Sequence, residues 1–159
     1  MTDIERRIIA AQGYVELELF TDAREVLGTL PESVSERPNV IEITLLCLMH
    51  ERRWEEALTH ARRLCEAEPK EPGGFIHAAF CLHEMGRTRE AVDVLVRGPT
   101  SLQGKAEFFY NMGCYRARLG EVAVAVEMLR KAFSKNESLR REAKRDPDLN
   151  ALREKMELI

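Results

Sequence analysis

Cysteine and histidine, four of each, are the side chains best suited to metal or nucleophile chemistry in this 159-residue chain. His77 and Cys81 stand four apart, a spacing that places two metal-ligating side chains on one helix face, with His83 close by. Cys47 and His50, three apart, form a similar couple earlier in the chain. Zinc requires four ligands in a tetrahedral array, and there is no CxxC pair. Cys47 and Cys81 read instead as small apolar side chains at equivalent helix positions. No serine or cysteine has a histidine and an acid nearby in a recognisable nucleophile setting. Gly73-Gly74 opens a helix without the strand before it or the lysine after it that a phosphate-binding loop uses. The arginine pairs Arg52-Arg53, Arg62-Arg63 and Arg140-Arg141 are spread among glutamates, as on a solvated helix face. The expectation is a protein that is not an enzyme and holds no metal and no cofactor.

The totals agree with that reading. At 45% apolar and 32% charged residues, the chain can bury a core and is too apolar to be disordered. A net charge of −3 offers no attraction to nucleic acid or an anionic membrane. No apolar run is long enough to span a bilayer, so neither nucleic acid nor membrane insertion is expected. The N-terminal MTDIERRIIAAQ places acids and two arginines where an export signal needs its apolar stretch. Cysteines spread singly through helical runs fit a reducing compartment, so the expected location is cytoplasmic.

Elements follow from periodicity. Ile4, Ile8, Ala11, Val15 and Leu19 predict a helix over 4–19, and Phe20-Thr21-Asp22 a turn in which Thr21 or Asp22 caps a second helix over 23–30. A polar loop or frayed turn over 32–37 leads to Pro38, which opens the third helix. The apolar run 41–49 and the run Trp54–Ala67 flank a charged corner at 50–53. Helices over 75–85, 88–97 with Thr88 as cap, 105–119 and 122–133 complete the set, with Gly86 and Gly120 as C-terminal caps. All six prolines fall between or beyond the helix pairs, and nothing alternates with period two. The predicted fold is all-α. In the tail, a short helix is expected over 139–144, and Asp146-Pro147-Asp148-Leu149 then supplies a cap residue and a first-turn proline for a last helix over about 147–157. Leu149, Leu152 and Met156 form its apolar stripe, and Arg153, Glu154 and Lys155 its wet face, as a terminal element of an array requires.

A fixed period underlies these pairs. Ala23, Ala57, Ala91 and Ala125 recur at one constant interval. Three residues before each come Phe20, Trp54, Thr88 and Val122; four after each come Leu27, Ala61, Leu95 and Leu129. The first helices repeat Ala10-Ala11, Thr44-Leu45, Ala78-Ala79 and Met112-Gly113, then Tyr14, Leu48, Leu82 and Arg116. Helix pairs alone would also fit an ordinary bundle. A helix–turn–helix period of about 34 residues, with these small and large positions, resembles the tetratricopeptide repeat. The resemblance covers four units without insertions, at about 4–37, 38–71, 72–105 and 106–139, plus the C-terminal capping helix. It implies one domain over 1–159, a right-handed α-solenoid of antiparallel helix pairs. Arg7 and Arg116 depart from the pattern at positions that are usually apolar.

The resemblance also implies that first helices line a concave groove. Its rows would be Ile8, Glu42, Ile76 and Tyr110; Gln12, Leu46, Phe80 and Cys114; and Val15, Met49, His83 and Ala117. Independently of it, the helix over 41–49 is apolar nearly all round and needs cover on most sides. Leu46, Met49, Ile76, Phe80 and Tyr110 would then form an apolar patch of the kind that marks interaction sites. Methionine and aromatic side chains suit an adaptable peptide-binding surface, with Asn111 and Arg118 adding polar specificity. The same row would alternatively be filled by the tail helix or a second copy of the chain. The lysines of the family's carboxylate clamp are missing, and Asn39 is the lone match, so no such clamp is expected. The expected function is a non-catalytic adaptor or scaffold for a protein or peptide partner. The alternatives are a self-associating scaffold such as a homodimer, or a secretion chaperone. The stretch EPGGFIHAAFCLHEMGRTREA resembles the third repeat of class II type III secretion chaperones.

Overall fold

Eight helices of 9 to 14 residues occupy the apolar runs. They are α1 (Asp3–Glu16), α2 (Phe20–Gly28), α3 (Pro38–His50), α4 (Trp54–Ala67), α5 (Gly73–Glu84), α6 (Thr88–Val96), α7 (Ala106–Arg118) and α8 (Val122–Lys135). The computed structural model describes every residue except Leu158, and no strand occurs among the described residues. The helices fall into two compact units, Met1–Pro69 and Lys70–Ile159, each holding two helix pairs. In the first, α1 packs on α2, α3 on α4, and both α1 and α2 on α3. In the second, α5 packs on α6, α7 on α8, and α7 also on α5 and α6. Corners too short to cross over make each pair antiparallel.

The repeat period is carried by the backbone as well as by the side chains. Positive φ angles occur at Glu18 (59°), Arg52 (58°), Gly86 (78°) and Gly120 (78°), one to each pair and evenly spaced. At each, the left-handed residue closes its first helix with the same two hydrogen bonds. Glu18 N–H donates to Val15 O and Leu19 N–H to Tyr14 O; Arg52 and Arg53 do so to Met49 and Leu48. Gly86 and Arg87 bond His83 and Leu82, and Gly120 and Glu121 bond Ala117 and Arg116. This is the Schellman pattern, which a glycine adopts at least cost. An L-residue there loses about 1–2 kcal/mol to the contact between Cβ and carbonyl. Glu18→Gly and Arg52→Gly are therefore expected to stabilise their corners by about 1 kcal/mol each, read from the urea midpoint. A lowered midpoint in both would show that side-chain contacts of Glu18 and Arg52 outweigh the strain.

The next turn then starts without a side-chain cap. Leu19, Arg53, Arg87 and Glu121 hold the N-cap positions, and no side chain bonds there. The sequence expectation of Thr21, Asp22 or Thr88 as caps is corrected: α2 begins at Phe20, and Thr88 is the first residue of α6. The corners are braced on their surfaces, by Arg53 with Glu51 and Glu56, Arg87 with Glu90, and Glu121 with Arg89 and Arg116. Phe20 stacks on His50 at 4.1 Å in the first unit.

All four register alanines are fully buried, as are Ala11, Leu45 and Ala79 on the facing first helices. The fourth pair approaches more closely still. A Cβ on Gly113 would lie 2.8 Å from Leu129 Cγ and 3.4 Å from the Ala125 carbonyl oxygen. Two 3-10 turns lie in the connections between helix pairs. Glu32–Val34 sits in the expected loop over 32–37 and buries Val34, and Thr100–Gly104 buries Leu102. The tail is α9 (Leu139–Ala143), where a short helix is expected, followed by a 3-10 segment Pro147–Leu152 and α10 (Arg153–Met156) in place of one continuous helix over 147–157. Leu149 and Leu152 are buried as the stripe requires. Arg153 departs from the expected wet face: its guanidinium bonds the carbonyls of Lys144 and Asp146 and the Asn150 side chain.

Candidate functional site

In the first unit, the expected groove residues divide. Gln12 on α1 and Glu42 on α3 are exposed, and Leu46 and Met49 on α3 are partly buried. Ile8 is 3% exposed and packs with Ala11, Ala23, Val34, Val40, Ile43 and Cys47, so its place is in the core rather than on a surface. A nearly apolar helix such as α3 must bury several faces, and it does so with Ile41, Ile43, Leu45, Cys47 and Leu48. That leaves Leu46 and Met49 as its incompletely covered apolar side chains. The Glu42 carboxyl is held above the usual range, first by burial and then by Glu68, although Glu42 as a whole is exposed.

The second unit shows more organised chemistry. Ile76 and Phe80 on α5 and Asn111 on α7 are partly buried. Tyr110 and Cys114 are 8% and 3% exposed, which corrects the expectation that they line an open row. The tail covers them. The Tyr110 hydroxyl donates to Asp146 Oδ2 at 2.8 Å, and the Cys114 thiol approaches the same oxygen at 3.5 Å. The other Asp146 oxygen accepts the Asp148 backbone N–H at 3.0 Å, capping the 3-10 segment. Asp148 turns back to His83, whose Nε2 lies 2.8 Å from Asp148 Oδ2. His83 Nδ1 lies 2.9 Å from the Thr88 hydroxyl. With the proton on Nε2, the ring donates to the carboxylate and accepts from threonine, so both nitrogens are satisfied. His83 also lies against the Tyr115 ring at 4.6 Å, and Arg118 Nε stands 3.6 Å from the second Asp148 oxygen.

Burial dominates the electrostatics of this cluster. It pushes the Tyr110 phenol well above its ordinary range, with Cys114 and Asp146 adding to the effect. The Cys114 thiol is raised by burial and then by Asp146 and Asp148. The Tyr115 phenol is raised first by burial too, and its hydroxyl has no hydrogen-bond partner among the described residues. Both tyrosines and Cys114 therefore stay protonated, and neither phenol nor thiol is an activated nucleophile. Donor atoms of Cys114, Asp146 and Asp148 lie within 4.8 Å of one another, close enough for a metal. Each is already engaged: Asp146 by Tyr110 and the cap, Asp148 by His83, and Cys114 by Asp146. The arrangement acts as a lock that fastens the tail to α5 and α7.

Beside the lock lies a cleft of about 820 Å3, lined by Phe80, His83, Arg87, Thr88, Arg118 and Pro147 among others. The sequence points to Phe80, His83 and Arg118, but not to Asp146 and Asp148 as their partners. The cap motif at Asp146 is visible in the sequence; its seat is not, because a single non-repeating contact leaves no periodic signal.

Antiparallel pairs of this length, joined by identical and evenly spaced corners, define a tetratricopeptide-type helical-repeat fold. Solved structures agree. “MamA MSR-1 C2” is 17% identical, covering 86% of this chain and 79% of that one, with a TM-score of 0.66. “MamA RS-1 ArsTM double mutant” is 12% identical over 86% of this chain and 77% of that one, at 0.72. A third MamA structure, 16% identical over 85% and 78% of the two chains, gives 0.65. At such identities the likeness is one of fold: a tetratricopeptide-like α-solenoid. No protein-family profile matches the chain, and no curated protein matches it. No helix among the described residues is long and apolar enough to cross a membrane.

Proposed function

We propose that the protein is a non-catalytic adaptor whose first helices hold segments of a partner protein. The observation that carries this reading is the pair of incompletely covered apolar side chains on α3, Leu46 and Met49, matched on α5 by Phe80 and Ile76. Leu46 and Phe80 are one period apart and occupy the same register position. Each unit thus presents an apolar first-helix face next to polar side chains, Gln12 and Glu42 in one and Asn111 in the other. Such faces suit extended or helical peptides, and the protonated, buried phenols and thiol supply no reactive group.

The test is an affinity capture from native lysate with wild type and a Leu46→Ala/Phe80→Ala variant. A protein held by wild type and released at least about tenfold more readily by the variant, with helicity and melting nearly unchanged, is the expected result. Equal retention by both would move the binding surface elsewhere. A variant that unfolds would place Leu46 and Phe80 in the core and end this reading. Recovery of the chain alone would favour assembly with its own kind, the reading to which exposed Ile9, Leu17 and Leu19 on the first pair lend support.

A further inference from the structure

We infer that the face of α5 and α7 in the second unit is a seat for an acidic Asp-x-Asp-Leu segment of a partner, and that the chain's own tail is its internal competitor. The inference deepens the adaptor reading and rests on it for the existence of a partner. The seat is seen with an occupant. Asp146 and Asp148, two residues apart, present their carboxylates to Tyr110 and Cys114 on α7 and to His83 on α5. Arg118 on α7 faces the second oxygen of Asp148. Leu149 follows and is fully buried. Pro147 starts a 3-10 turn that holds the two acids on one side.

These contacts have the character of ligand recognition. They come from side chains at positions 83, 110 and 114, which the repeat pattern assigns to the partner-facing side of first helices, with Arg118 beside them. They read two charges by hydrogen bonds from neutral or cationic donors, and they read one leucine by burial. The helix-closing backbone bonds recur in every period, whereas this set occurs once among the described residues. The occupied seat also borders the cleft lined by Phe80, Glu84, Arg87, Glu90 and Arg118, in which Arg87 is paired with Glu90 and Arg118 faces Asp148. A tethered tail acts at high effective concentration, so a partner meets a seat that is mostly filled. Its apparent affinity is the intrinsic affinity multiplied by the fraction of chains whose tail is out. Weakening the tail must therefore strengthen binding in trans.

The experiment uses the full chain and a fluorescent synthetic peptide with the sequence of residues 144–157, read by anisotropy. Asp148→Ala/Leu149→Ala weakens the tail and leaves every seat residue in place. Its affinity for the peptide should rise about tenfold or more over wild type. A control peptide with asparagine for both aspartates should bind about tenfold more weakly, because the charge-assisted bonds are lost. Asp148→Ala alone should show the same order with a smaller gain. A folded variant that binds neither peptide, or both equally, overturns the inference. Loss of helicity in Asp148→Ala itself would make the tail a fixed part of the core and overturn it as well. A concentration-dependent dimer formed by exchange of tails would assign the seat to a second copy and reject the separate partner. Failure here leaves a Leu46- and Phe80-dependent capture standing; failure of that capture with peptide binding intact would confine recognition to the tail seat.

Discussion

Asp146→Ala should destabilise the second unit by about 2–4 kcal/mol, although it removes only one partly exposed carboxylate. Two losses combine. The Tyr110 hydroxyl is buried and donates to Asp146 Oδ2 at 2.8 Å. Without that acceptor it remains in a desolvated site, at a cost of about 1–3 kcal/mol. The cap of the 3-10 segment, in which Asp146 Oδ1 accepts from Asp148 N–H at 3.0 Å, is worth about 1 kcal/mol more. Asp146→Asn keeps an acceptor oxygen for one of the two contacts and should cost roughly half as much. Urea unfolding followed by far-ultraviolet circular dichroism measures both. Tyr110→Phe in the Asp146→Ala background should then be nearly neutral, since it removes the orphaned hydroxyl. A loss below about 0.5 kcal/mol for Asp146→Ala would mean that water reaches Tyr110 and that the lock contributes little.

That lock marks the boundary of what the amino-acid pattern discloses. Helix pairs are legible because their signal is repeated four times: one alanine per pair, large residues at fixed offsets and prolines kept between units. The elements α3 and α4 fall where the apolar runs place them. Corners are legible only where glycine announces a left-handed residue. Gly86 and Gly120 are visible; Glu18 and Arg52 adopt the same conformation with no local sign of it, because the repeat imposes it on whatever residue stands there. The period alone would find them. The start of α2 and the cap of α6 are misplaced because the cap positions hold Leu19 and Arg87, and threonines nearby are the better capping residues in isolation. The burial of Tyr110 and Cys114 is legible only as the alternative in which the tail fills the row; the residues that make the contact are illegible for a different reason. The burial depends on contacts from α7 to Asp146, far along the chain, and a unique tertiary contact has no second instance to compare with.

The repeat also predicts how its own core tolerates change. Gly113 on the first helix of the fourth pair faces Leu129 on the second, and at the corresponding positions 11, 45 and 79 with 27, 61 and 95 the residues compensate in size. The pairs are Ala11 with Leu27, Leu45 with Ala61, Ala79 with Leu95 and Gly113 with Leu129. Three of the four combine a small first-helix residue with leucine; the second unit of the repeat reverses the order. Gly113 is the extreme, since even a Cβ there would meet Leu129 at 2.8 Å, and Leu129 is fully buried. Gly113→Leu should therefore cost about 3 kcal/mol or more through overpacking, despite the gain of about 1 kcal/mol from removing a helical glycine. Leu129→Ala should cost about 2–5 kcal/mol as a cavity. The double variant Gly113→Leu/Leu129→Ala rebuilds the combination found at Leu45 and Ala61, and each change fills or vacates the space of the other. Its loss should be smaller than that of either single change, a favourable coupling of about 2 kcal/mol or more in a double-mutant cycle. Simple addition of the two losses would show that the fourth pair is held at its spacing by contacts other than this one. Recovery would establish that the distance between paired helices is set by the summed size of two residues, and that the repeats differ in how they divide it.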